Sequence, residues 1–197
     1  MMGRKLRGVL LITAGLVLIL TAAWIFSLNE REEALAAANT EVLLEQMYEE
    51  IEANKNIYDT QGRLAQFELG GHEALGILNI PSLGLELPVL NDWNYEMLII
   101  APGRYFGTPE EGNMILLGHN YKRHFARLKE LKPGDRAELY TLGGVTYIYE
   151  LDMIETLGKT DLEELVAGEW DMTIFTCTVG GERRVTARFR LVDAMMN

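Results

Sequence analysis

From Val9 to Leu28 the chain runs for twenty residues without one charged side chain. At a helical rise of about 1.5 Å per residue such a run spans roughly 30 Å, the hydrocarbon thickness of a bilayer. It exceeds the apolar stretch of about 7 to 15 residues found in cleaved export signals, so it reads as a transmembrane helix, with a cleaved signal as the alternative that the small residues Ala22, Ala23 and Ala34 to Ala38 would allow. Arg4, Lys5 and Arg7 precede it with no acid among them, and Trp24 lies near its far end. Basic residues stay on the cytoplasmic side and tryptophan favours the interface. The expected arrangement is a cytoplasmic tail at 1–8, a membrane helix at 9–28 and everything later outside the cell.

Beyond the membrane run the chain is acidic. The whole chain carries a formal net charge of −11 and a pI near 4.8. Nucleic-acid binders need clustered Lys and Arg to displace counterions, which excludes nucleic acid as a partner class. Residues 29–70 read as an extracellular helical stalk. Asn29 to Asn56 is rich in Ala and Glu and free of Gly and Pro, and Leu44, Met47, Tyr48 and Ile51 recur at helical spacing. The apolar stripe is short and lacks sustained heptads, so a solvated stalk is expected rather than a coiled coil.

From 71 to 197 the composition changes to short runs of Val, Ile, Leu, Thr and Tyr broken by Gly, Pro and Asn, the pattern of an all-β sandwich or barrel. Strands are expected at Ala74–Ile80, Leu85–Leu90, Asn113–His119, Arg136–Leu142, Val145–Leu157, Asp171–Cys177 and Arg184–Val192. Gly143-Gly144 suggests a two-residue hairpin turn. Thr160-Asp161-Leu162-Glu163 has the form of a capping box opening one short helix.

Cys177 is the sole cysteine, so it closes no internal disulfide. Taken alone, a lone cysteine is more often buried packing than a nucleophile. It does, however, end a strand and precede a glycine-containing loop, where a thiol can be reached. Of the three histidines, His72 and His124 sit in segments that read as solvated surface. His119 comes after Met114-Ile115-Leu116-Leu117-Gly118 and so emerges, like Cys177, where a buried strand ends. The last strand offers Arg183, Arg184, Arg188 and Arg190. Alternation of side chains assigns Val185, Ala187, Phe189 and Leu191 to the apolar face and Arg184, Thr186, Arg188 and Arg190 to the polar one, which favours Arg184 over Arg183 as a cation beside Cys177.

Together these segments resemble one family. Thr173-Ile174-Phe175-Thr176-Cys177 is similar to the Thr-Leu-x-Thr-Cys pattern of the sortases. Gly112-Asn113 through Gly118-His119 resembles the stretch bearing their histidine, and Arg184 resembles the arginine of their last strand. Ile77-Leu78-Asn79-Ile80-Pro81 and Leu87-Pro88-Val89 extend the similarity, which covers about Leu75 to Val192. The resemblance implies an eight-stranded β-barrel with short helices, preceded by the membrane helix and stalk. It implies a cysteine transpeptidase: Cys177 attacks a C-terminal sorting signal of the Leu-Pro-x-Thr-Gly type on a secreted protein and forms a thioacyl enzyme. An amine from a cell-wall precursor or a pilin then takes the acyl group. His119 would act as general acid and base, Arg184 would stabilise the oxyanion, and Thr176 would contribute its hydroxyl to substrate contacts. No metal or organic cofactor is implied. The short link from Cys177 to Arg184 leaves no room for a long insertion there. Two rival readings are a hydrolase sharing the first half of this chemistry, and a non-catalytic anchored β-domain that binds wall polymer or a partner protein.

Overall fold

The computed structural model describes residues 2–53, 68–69 and 71–196, and the expected helical residues 54–56 lie outside that set. Two compact units divide the chain, Met1–Leu35 and Ala36–Asn197. Helix α1, Met2–Ala53, runs through the first and into the second. In the first unit its apolar side chains face outward all round, with Leu11, Ile12 and Leu18 each at least 70% exposed. A helix apolar on every side is suited to lipid, and its most apolar window has a mean hydropathy of 2.6, so α1 is a candidate membrane anchor.

In the second unit the end of α1 departs from the solvated stalk expected of it. Ala36, Thr40, Leu43 and Met47 are buried at helical spacing. Leu43 and Met47 pack with Ala74, Ile77, Leu90, Met97, Ala101 and Leu142 of the β-domain. The stripe is narrow because only one side of the helix meets the sheet. At its margin the Tyr48 hydroxyl donates to the Glu86 carboxylate, and burial, with that carboxylate second, pushes the phenol up to about 12.

The domain is built on one sheet: β1 (Glu68–Leu69), β2 (His72–Ile80), β3 (Leu85–Leu90), β4 (Gly103–Phe106), β5 (Met114–Leu117), β6 (Arg136–Thr141), β7 (Val145–Gly158), β8 (Met172–Cys177) and β9 (Arg183–Met196). Its order is β1-β2-β3-β4-β5-β8-β9-β7-β6, and β2 also pairs with β6, which closes eight strands into a barrel. Gly76 permits the closure: a Cβ there would lie 2.1 Å from the Tyr140 carbonyl oxygen. Leu78, Ile80, Met114, Leu116, Tyr149, Ile174 and Phe189 fill the interior. A further cluster, Ile115 and Leu117 of β5, Phe175 of β8, Leu157 of β7, with Leu98 and Leu165, lies on the outer side of the sheet.

Helix α2, Met97–Ile100, and strand β4 had no sequence signal strong enough to be expected. Two local expectations are corrected. The β6–β7 hairpin uses the three residues Leu142, Gly143 and Gly144: Thr141 pairs across to Val145 through its hydroxyl, the Gly144 N–H donates to the Thr141 carbonyl, and Gly144 adopts φ 78°. This is the turn-plus-bulge geometry of a three-residue loop. The short helix α3, Leu162–Val166, is entered by Asp161 with no side-chain cap. The Asp161 carboxylate instead accepts from the Gly158 N–H at 2.8 Å, so Thr160 and Glu163 form no capping box.

Candidate active site

Strand alternation decides where each candidate residue points. On β8, Met172 and Ile174 enter the interior cluster while Phe175 joins the outer one. Thr176 therefore turns inward, where it is 2% exposed, and Cys177 turns outward, half-buried as a free thiol. On β5, Leu116 is interior and Leu117 outer; Gly118, just past the strand's end, faces the buried Phe125, and His119 follows it.

Register places these residues side by side. Strands β5 and β8 are parallel with Leu117 opposite Phe175, and one step on the Gly118 N–H donates to the Phe175 carbonyl at 3.3 Å. His119 is the next residue of the chain after Gly118, at the same end of the sheet as Cys177. On the other side of β8, β9 runs antiparallel with Cys177 directly opposite Arg184. Residues directly opposite in an antiparallel pair share a face, with Cβ atoms about 4.5–5.5 Å apart. Strands β5, β8 and β9 are consecutive, so Arg184 flanks Cys177 on one side and the end of β5 that leads into His119 flanks it on the other; these three residues are the candidate row. Arg183 lies on the other face, exposed, and donates to the Thr156 carbonyl at 3.3 Å.

The row is fixed from beneath. The Thr176 hydroxyl donates to the Gly118 carbonyl at 2.8 Å, tying the end of β8 to the backbone that carries His119. Its hydroxyl is thus engaged inside the protein and supports the histidine loop. The His119 carbonyl accepts from the Phe125 N–H at 3.1 Å, and a Cβ on Gly118 would lie 2.6 Å from the Phe125 ring. Glycine is required where that ring packs. Between Cys177 and Arg184 the chain turns tightly: the Thr178 N–H bonds the Arg183 carbonyl at 2.9 Å, and Gly180 and Gly181 take left-handed φ values of 86° and 75°. Arg184 Nη1 donates to the Gly181 carbonyl at 2.9 Å, so the guanidinium rests on its own turn.

Other arginines and histidines differ from the expected picture. Thr186 and Arg188 share the polar face of β9 with Arg184 but are buried, not solvated. Arg188 Nε bonds the Glu155 carboxylate at 2.7 Å, and its Nη atoms donate to the Leu165 and Glu164 carbonyls and to Thr173, so it anchors α3. Arg190 stacks over Trp170, 4.4 Å from its ring centre. His72 opens β2, apart from the row. His124 is not surface: it is fully buried and neither ring nitrogen has a hydrogen-bond partner.

Burial, and secondarily the nearby His119, pushes the His124 imidazole down to about 4. An unfolded histidine titrates near 6.5, so between these values the unfolded chain holds the extra proton. Stability is therefore full above about pH 6.5 and falls as pH drops towards 4, by about 3 kcal/mol in total. Urea unfolding of the whole chain at pH 7 and pH 4.5 should show this loss, and His124→Leu should remove that part of it.

Beyond the row an aromatic line tracks the outer face: Phe175 meets Tyr105 edge-on at 5.4 Å, and Tyr105 meets Trp93 at 5.5 Å. A polar cleft of about 330 Å³ lies alongside, lined by Glu73, Asn91, Asp92, Arg104, Tyr105 and Phe106. Among the described residues no group of three or more His, Cys, Asp or Glu side chains is placed to hold a metal.

The fold and site define a closed eight-stranded barrel with a half-buried free cysteine at the end of one strand, opposite an arginine on the next. The Sortase domain model matches residues 78–192, and the chain belongs to the sortase family. It is 30% identical over 115 residues to Sortase D of Bacillus subtilis (strain 168), covering 57% of this chain and 58% of that protein. It is 25% identical over 141 residues to Sortase A of Bacillus anthracis, covering 64% and 63%. The chain thus spans about three fifths of the length of these curated relatives. The crystal structure of sortase C1 from Streptococcus agalactiae aligns with a TM-score of 0.57 at 26% identity, covering 78% of this chain and 89% of that one. A Clostridium perfringens sortase D5 transpeptidase shares the fold with a TM-score of 0.58 at 21% identity, covering 81% and 99%.

Proposed function

We propose that this protein is a membrane-anchored cysteine transpeptidase acting outside the cell on secreted proteins with a C-terminal sorting signal of the Leu-Pro-x-Thr-Gly type. The observation that supports this reading is that Cys177, at the end of β8, lies opposite Arg184 on β9 while β8 pairs on its other side with β5, the strand that leads into His119. Helix α1 holds the domain at the membrane, with the basic N-terminal residues on the cytoplasmic side.

In the first half-reaction the Cys177 thiolate attacks the threonine carbonyl carbon of the signal. The carbonyl π pair moves onto oxygen, where the Arg184 guanidinium, released from the Gly181 carbonyl, balances the developing charge. Collapse of this intermediate breaks the peptide bond, and His119 gives its proton to the departing amine. A thioester to Cys177 remains. In the second half His119, now neutral, takes a proton from an incoming amine of a wall precursor or a pilin. That amine displaces the thiolate, and an amide is restored. Water in place of the amine would give hydrolysis, so the products with and without an added amine separate transfer from release.

The direct test is to incubate the full chain in detergent with sorting-signal peptides of varied sequence and look by mass spectrometry for an acyl adduct on Cys177. An adduct that amines discharge is expected; its absence across the library sinks the proposal. A sharper outcome concerns the two neighbouring arginines. Arg184→Ala is expected to lower kcat/KM by about 10²–10³, the scale for loss of an oxyanion donor. Arg183→Ala, on the opposite face, should change it less than about threefold, within the small effect expected of an exposed charge. The reverse ranking would mean that the cation is supplied from the other face.

A further inference from the structure

Behind His119 stand two rings that the proposed chemistry does not use. Tyr121 lies 4.9 Å from His119, ring centre to ring centre, with its plane tilted by 37°. His124 lies 5.5 Å from Tyr121, tilted by 54°. Tyr121 therefore touches both imidazoles, one on the outward row and one sealed in the protein. The backbone holds this arrangement: the His124 and Ala126 N–H groups both donate to the Tyr121 carbonyl, at 2.9 and 3.2 Å, and Phe125 closes on His119. Tyr121 thus heads a hydrogen-bonded turn whose next residues are pinned into the core by the fully buried His124 and Phe125.

His124 is an unexpected choice for that place. Both its ring nitrogens are buried without a partner, and an unsatisfied buried polar group is costly in a way that a leucine or phenylalanine side chain is not. A residue kept at the expense of stability, one ring away from the candidate acid–base group, calls for a role in the site. An imidazole at a strand end can rotate about its own side-chain bonds, and acid–base transfer requires it to face the thiol within hydrogen-bond reach.

We propose that Tyr121 and His124 are positioning residues for His119: the Tyr121 ring is a platform that sets the plane of the imidazole towards Cys177, and His124 is the wedge that holds the platform. This rests on the reading of His119 as the acid–base group. It assigns Tyr121 no contact with the peptide or with the reacting atoms.

The test uses the full chain in detergent, with turnover of a sorting-signal peptide and NMR of the His119 ring protons, identified by their loss in His119→Gln. Tyr121→Leu is expected to lower kcat about tenfold or more with KM nearly unchanged, the pattern of a misplaced catalytic group. Tyr121→Phe, which keeps the ring, should restore most of it. His124→Leu should lower kcat while its melting temperature stays level or rises, a split that simple core filling would not produce. The His119 ring protons should lose a ring-current shift in Tyr121→Leu and keep it in Tyr121→Phe. Unchanged kcat in Tyr121→Leu, or His119 signals identical to wild type there, overturns the proposal. If the wild-type chain turns over no peptide, the transpeptidase reading falls with no bearing on the platform, and the ring signals alone decide whether Tyr121 holds His119.

Discussion

Cys177→Ala is expected to reduce acyl transfer to background, a loss of at least about 10⁴-fold, because no other group in the row can form the covalent intermediate. The same variant should fold normally. Cys177 is half-buried at the end of β8 and makes no disulfide, so its melting temperature should stay within about 2 °C of wild type, as for surface changes worth under about 0.5 kcal/mol. Cys177→Ser is the stricter comparison, since it keeps the shape and replaces a thiol by a hydroxyl that does not ionise near neutral pH. It too should fail to accumulate the acyl adduct. Retained transfer in either variant would place the nucleophile elsewhere, and the chain has no second cysteine to take the part.

The largest effect on stability belongs to Arg188, a residue with no part in the row. Its side chain is 2% exposed and its donors reach the Glu155 carboxylate, two carbonyls of the α3 segment and Thr173. Arg188→Ala would leave Glu155 without its cation and the Glu164 and Leu165 carbonyls without their donor. Breaking a buried pair from one side costs about 3–5 kcal/mol, which in a domain of this size lowers the melting temperature by about 10 °C or more. Leu165 packs in the outer cluster with Phe175 and Leu117, so freeing α3 should also loosen the floor on which the row stands. Calorimetry of Arg188→Ala beside Arg190→Ala separates the two sites. Arg190 stacks on the surface and should cost about 1 kcal/mol or less. Equal effects would mean that Arg188 anchors nothing.

The position of Arg184 was legible in the sequence because alternation along a single strand is local information, and β9 keeps its period through the segment that faces Cys177. The same rule misjudged Thr186 and Arg188, since a polar side chain on the outer face of a strand need not meet water. Helix α3, some twenty residues earlier, covers that face, and nothing in the strand itself announces the cover. His124 misled for a related reason. Lys122, Arg123 and Arg127 make its segment look solvated, yet the turn carried by the Tyr121 carbonyl rotates His124 and Phe125 inward while its charged neighbours stay out. Strand β4 is four residues long and opens with Gly103 and Arg104, too short and too polar to show a period. The stalk stripe was visible as a stripe, but its partner residues Ala74, Leu90 and Leu142 are far away in the chain. Family motifs linked His119 and Cys177 where spacing alone could not, because the strand ends that lead to them are brought to the same end of the sheet by the parallel pairing of β5 with β8.

That pairing has a consequence for how the domain folds. The Thr176 hydroxyl that supports the histidine backbone reaches across 58 residues to Gly118, and β8 is hydrogen-bonded to β5 on one side and β9 on the other. Contacts so distant along the chain form slowly and late. Arg184 meets Cys177 through the local β8–β9 hairpin, whereas the loop that carries His119 reaches β8 only once the distant β5 has paired with it. Assembly of the candidate site is therefore a late folding event, completed by the long-range pairing of β5 with β8 and not by the local hairpin.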